Sequence, residues 1–269
     1  RERGGSATLA GQAGASGYWY LRAPRIDRRG TDIVLAQAAD RLPFGGRASG
    51  VDGSELTRVF ARAIFGAWRL TAGDARRTQD AGFGLYGSDF GAPQSFVRDR
   101  QSFGDLRWDG SVGLATDVTV RAYVARYTYG DTVPFAGEGS AGATDGRWAG
   151  TELQLTHRLS ARHRLLGGIE AQRDSQLRQL QATDSLGLVL DDRRSGSRLG
   201  VFVQDDIEWS AAWSTSVGLR YDRYRGGEQA SPRGALIFRP DGRSALKLVA
   251  GSAFRAPNAY ERYYAFDGL

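Results

Sequence analysis

The chain has 269 residues, 41% of them hydrophobic, with a mean hydropathy of −0.41, and no run approaches the roughly 18 to 20 apolar residues of a membrane-crossing helix. Cysteine is absent, which excludes a disulfide framework and a thiolate metal site. The net charge of +6 comes from single arginines at strand-like spacing, with Lys247 the one lysine, a pattern of interior and interfacial arginines rather than of a nucleic-acid surface.

The 37 glycines and 11% aromatic residues, mixed evenly with small polar ones, predict many short strands joined by turns. Residues 6–13, 18–26 and 31–39 read as three strands, with Asp27-Arg28-Arg29-Gly30 as a short turn and Pro24 weakening the middle one. Over 53–77, Val59, Ala61, Ala63 and Phe65 share a face opposite Arg58 and Arg62; Gly66-Ala67 then turns the chain into a return strand starting at Trp68. Strands at 99–112 and 117–130 flank a turn at 113–116, and Val118, Val120, Ala122 and Val124 oppose Thr119, Arg121, Tyr123 and Tyr127. Strands at 147–159 and 163–174 flank 160–162, and strands at 197–209 and 213–224 flank 210–212, each with one apolar and one mixed face. Strands at 231–239 and 244–253 are joined by Pro240-Asp241-Gly242-Arg243.

The connections between these hairpins are longer, at about 79–97, 131–146, 175–195 and from 254 onward. Short turns at one end and long loops at the other predict an all-β fold, a transmembrane antiparallel up-and-down β-barrel of which about 12–13 strands are in the sequence. A β-propeller would repeat a motif from blade to blade, and none recurs. Trp68, Trp209 and Trp213 sit beside short turns, as an aromatic girdle at a membrane interface would place them.

Four linked motifs carry a resemblance to a known family. Phe202-Val203-Gln204-Asp205 followed by Gly218-Leu219-Arg220-Tyr221-Asp222 resembles a hairpin of TonB-dependent outer-membrane receptors. Ser231-Pro232-Arg233 resembles the next strand, and Gly251-Ser252-Ala253-Phe254-Arg255-Ala256-Pro257, with Glu261 beyond it, resembles the family's strand exit. The resemblance implies one partial barrel domain over 1–269, part of a 22-strand barrel whose N-terminal plug and TonB-contacting segment lie outside this sequence. The lack of a starting methionine, and an end at 265–269 with no closing strand, agree with an internal piece of a longer chain.

What the resemblance further implies is an active transporter of the cell outer membrane. It would take up a scarce small molecule such as a ferric siderophore, haem or cobalamin, with energy relayed by TonB; its partners would be TonB, outer-membrane lipid and that ligand, with no nucleic acid. Aromatics in the long loops, Tyr86, Phe90, Phe135, Tyr260, Tyr263, Tyr264 and Phe266, are the ligand-stacking candidates. His157 and His163 flank one short turn without a metal-ligand pattern, and no phosphate loop or nucleophile elbow occurs, so neither an enzyme, a metal site nor a cofactor is expected. A passive porin-like barrel and a soluble β-rich binding module remain as alternatives.

Overall fold

The computed structural model describes residues 2–93 and 95–264. Fourteen strands follow one another: β1 (Glu2–Ala13), β2 (Gly17–Arg28), β3 (Thr31–Val34), β4 (Arg47–Val51), β5 (Ser54–Phe65), β6 (Trp68–Asp80), β7 (Phe96–Val112), β8 (Thr116–Phe135), β9 (Glu138–Arg158), β10 (His163–Thr183), β11 (Gly187–Glu208), β12 (Trp213–Tyr224), β13 (Gly227–Phe238) and β14 (Leu246–Gly251). Twelve form one antiparallel sheet in chain order, from β1 to β14, while β3 and β4 make a separate two-stranded sheet. A five-residue helix, α1 (Ala259–Tyr263), follows the last strand. The architecture is the up-and-down antiparallel one that the hairpin pattern predicts, left open between β1 and β14.

Side-chain alternation and register give the sheet two chemically distinct faces. Trp68, Trp108, Val120, Leu153, Ile169, Val201 and Tyr221 pair successively across β6 to β12 and form one row of the apolar face. One residue further along, Arg69, Arg107, Arg121, Glu152, Glu170, Gly200 and Asp222 form a row of the polar face. On β8 the apolar face runs from Val118 to Val124, about 20 Å along the strand, and the next residue on that face is Arg126.

Polar-face charges are used in pairs. Arg121 donates to Asp105 at 2.5 Å and lies 3.7 Å from Glu152. Arg220 on β12 reaches across β11 to Glu170 on β10 at 2.9 Å while also holding Asp222 at 2.7 Å. It passes over Gly200, where any Cβ would collide with its guanidinium. Arg220, oriented by Asp222 on its own strand, thus clamps β12 to β10 through Glu170.

Three expectations need correction. The stretch 31–39 is not a barrel strand: β3 ends at Val34, pairs with β4, and β5 follows β2 directly in the main sheet through Arg28↔Ser54. Residues 29–53 form an excursion at the long-strand end instead of starting with a short barrel turn, which leaves twelve strands in the sheet. Pro24, with no N–H to give, sits where the β2–β5 ladder skips a step between Arg22 and Arg25. The loops expected at 131–146 and 175–195 are also strand for most of their length. The β8–β9 turn is only Ala136-Gly137, both with positive φ, and the β10–β11 turn is only 184–186. Small and charged residues were misread as loop because the upper strands need no apolar face. There, charge pairs across strands, Arg126–Asp145 at 2.9 Å and Arg178–Asp191 at 2.9 Å, replace hydrophobic alternation.

A bulge near Ser175 reverses the alternation within β10. Before it Gln172 and Asp174 lie on the polar face; after it Leu177, Gln179 and Gln181 do.

Candidate functional site

The tall strands β8 to β11 rise past the end of the apolar belt, and their polar face there meets two other segments, 81–95 and 252–264. The first is fastened by Asp89. Its carboxylate accepts the Ala136 and Gly137 amides at 2.8 and 2.7 Å, and its own amide donates to Pro134 O at 2.8 Å. The neighbouring strand tip is tied in by Gly139 donating to Asp184 at 3.0 Å and by Ser185 donating from its amide to Glu138, also at 3.0 Å. These carboxylates satisfy turn amides that have no strand partner.

The second segment folds back across the polar face. Phe254 stacks on Tyr224 with centroids 5.1 Å apart, Gln179 donates to Ala259 O at 3.0 Å, and the Arg194 guanidinium lies 4.5 Å from the Tyr263 ring centre. Asn258 and Glu261 close a capping box at the start of α1, and Arg255 holds Glu261 at 2.6 Å. The Arg255 guanidinium, and next the Asn258 amide, lower the Glu261 carboxyl from an ordinary value near 4.5 to about 2. A depressed carboxylate contributes order that is complete above the ordinary value and lost as pH falls through the lowered one. Amide exchange over 258–264 is therefore expected to stay slow from neutral pH to about pH 3. With Arg255→Ala the release should move up toward pH 4.5; release of both chains at one pH would contradict the link.

Between these segments and β8 to β10 lies a cavity of about 930 Å³. Tyr86, Phe135, Tyr260 and Tyr264 from the expected set line it, as do Tyr127, Tyr129 and Trp148. Tyr260 and Tyr264 stack at 4.4 Å, and the Tyr86 and Tyr129 hydroxyls are 3.2 Å apart. Tyr127 donates to Asp99 at 2.5 Å, which fixes its ring.

A second hollow of about 250 Å³ adjoins the first and shares Trp148, Leu177, Asn258 and Ala259 with it. Arg194, Arg198, Arg225 and Arg262 line it, together with Asp174, Tyr224 and Tyr263. Tyr263 thus faces the basic hollow rather than the aromatic cavity. Phe90 lines neither, and Phe266 lies outside the described residues. Tyr129 and Trp148 were missed because one lay at the end and the other at the start of expected strands; the step of two from Tyr127 to Tyr129 was the available signal. The four arginines had no local pattern, because β11, the β12–β13 turn and a returning segment supply them.

Away from this region, His157 meets Thr116 Oγ1 at 2.8 Å and His163 meets Asp205 at 2.7 Å, both near the short-turn end. No group of three or more His, Asp or Glu side chains able to hold a metal occurs among the described residues.

The model of the family described as "TonB dependent receptor-like, beta-barrel" matches residues 42–268. No curated protein matches the sequence. Among solved structures, the siderophore receptor PirA from Acinetobacter baumannii superposes with a TM-score of 0.71 at 12% identity, over 96% of this chain and 41% of that one. A mutant ferric enterobactin receptor (PfeA) from Pseudomonas aeruginosa, in complex with enterobactin, gives 0.67 at 14% identity, over 96% and 42%. The ferric citrate transporter FecA in its unliganded form gives 0.62 at 7% identity, over 91% and 43%. The chain thus spans about two fifths of these structures.

Proposed function

The chain belongs to the TonB-dependent receptor family through its β-barrel, and from that premise we propose that residues 1–269 are one partial barrel domain of an outer-membrane receptor that imports an anionic, aromatic iron chelate. The apolar face would then meet lipid and the polar face the barrel lumen, with the short turns periplasmic and the tall strands outside. TonB would act through the plug of the whole protein.

The observation that carries the cargo class is the aromatic cavity set directly beside four arginines. About 930 Å³ is within the range that holds a small-molecule ligand, roughly 300 to 1,000 Å³. Tyrosine and tryptophan faces stack on planar rings, and guanidinium groups neutralise the negative charge of an iron chelate through directed hydrogen bonds. The similar structures named for siderophores and ferric citrate support an iron chelate as the cargo. A neutral glycan would use the aromatics but leave the arginines idle.

Uptake of radio-iron by cells whose only receptor is the full-length protein tests this reading. A ferric tris-catecholate is expected to enter only in a TonB-positive strain, and a neutral hydroxamate chelate to enter far more slowly. Equal entry without TonB would establish a passive pore instead, and indifference to chelate charge would remove the arginines from recognition.

A further inference from the structure

At the upper margin of the apolar belt the lipid-side face turns basic. Register sets Arg76 opposite Arg100, Arg126 opposite Arg147, and Arg178 opposite Arg193, all on that face. Like charges directly opposed across a ladder are destabilising. Part of this is relieved within the chain, since Asp74 holds Arg100 at 2.9 Å, Asp145 holds Arg126 and Arg147, and Asp191 holds Arg178 and Arg193. Arg76, Arg98, Arg173 and Arg223 share this face, are exposed, and enter no ion pair among the described residues.

Two of them form a seat. Arg173 pairs with Ser197 and Arg223 with Leu199 on the intervening β11, which sets their backbones about 10 to 12 Å apart. Beside them Leu106, Val124, Ala171 and Leu199 border a shallow apolar groove whose lining also includes both arginines.

We propose that this band binds the phosphate-bearing headgroup of an outer-leaflet lipid, with Arg173 and Arg223 on the phosphate and an acyl chain along the groove. The inference rests on the membrane placement given under Proposed function. Charge complementarity selects phosphate, and guanidinium forks suit it. Continuity with the belt selects a lipid over a soluble anion, because the free arginines begin where the apolar rows stop.

The test uses the full-length receptor in non-ionic detergent, titrated with a diphosphorylated glycolipid, a neutral lipid of the same acyl chains, or inorganic phosphate, and read by native mass spectrometry. The phosphorylated lipid should bind at least roughly tenfold tighter than the neutral one, and millimolar phosphate should not displace it. With Arg76, Arg98, Arg173 and Arg223 all changed to Gln, that preference should disappear. Equal binding of both lipids, an unchanged preference in the variant, or displacement by phosphate would overturn the proposal. If the variant does not fold, the comparison of the two lipids on the native receptor still decides. Heat-dependent electrophoretic mobility in detergent reports the barrel separately, so failure of lipid selection and failure of the membrane reading are told apart.

Discussion

Gly168→Ala is expected to lower the unfolding temperature of the receptor by several degrees. A Cβ at this position would stand 2.5 Å from Cζ of Phe202 and 2.6 Å from the carbonyl oxygen of Leu153. The ring can turn, but the carbonyl belongs to the β9–β10 ladder and moves only if the strands separate. Forced overpacking costs about 1 to 3 kcal/mol, with a displaced ladder at the upper end. That is a large share of the roughly 5 to 15 kcal/mol that a folded protein has in total. Gly73→Ala is the matched control, because its Cβ would meet only the Phe103 ring, at 2.6 Å. Phe103→Leu should therefore rescue Gly73→Ala, whereas Phe202→Leu should not rescue Gly168→Ala. The measurement is the temperature at which half of the full receptor loses its folded electrophoretic mobility; an unchanged midpoint in Gly168→Ala would refute the backbone clash.

The second large effect concerns the aromatic cavity. Replacing Tyr129, Tyr260 and Tyr264 together by Ala should weaken binding of a ferric tris-catecholate on the order of one hundredfold, taking about 1 kcal/mol for each lost aromatic contact. The three Phe variants should retain most of the affinity, since stacking outlives the hydroxyl. Phe90→Ala should bind normally, because Phe90 lines neither hollow. Isothermal titration of the full receptor separates these cases. An unaffected triple variant with a crippled Phe90→Ala would move the site onto the 81–95 loop.

How much was legible in the sequence follows the physics of each region. Within the belt, one face must be apolar, so Val118 to Val124 and Leu199 to Val203 announce their strands by strict alternation. Above the belt both faces are wet, and the strands through Asp131 and Asp191 are held by ladders and ion pairs that no local pattern reveals. The same limit applies to the candidate site. Tyr260 and Tyr264 could be suspected from their loop, but the arginines beside them come from β11, the β12–β13 turn and the segment after β14. Tertiary placement, rather than residue type, decides which aromatics meet: Tyr127, Tyr129 and Trp148 come from strands and Tyr86 from a loop, while Phe90 in that same loop lies apart.

The extra residue near Ser175 decides where along β10 the chain tolerates a lost codon. It acts as a frame boundary: below it the strand's even positions look inward, above it the odd ones do. Losing that single residue would smooth the ladder and leave Leu177, Gln179 and Gln181 on the polar face, whereas losing Arg178 would bring Leu180 to that face in place of Gln179 and Gln181 while the lower half keeps its frame. A codon lost at the bulge is thus silent for that face, while one lost just above it turns over the upper column at once, a larger step than any substitution along the strand offers.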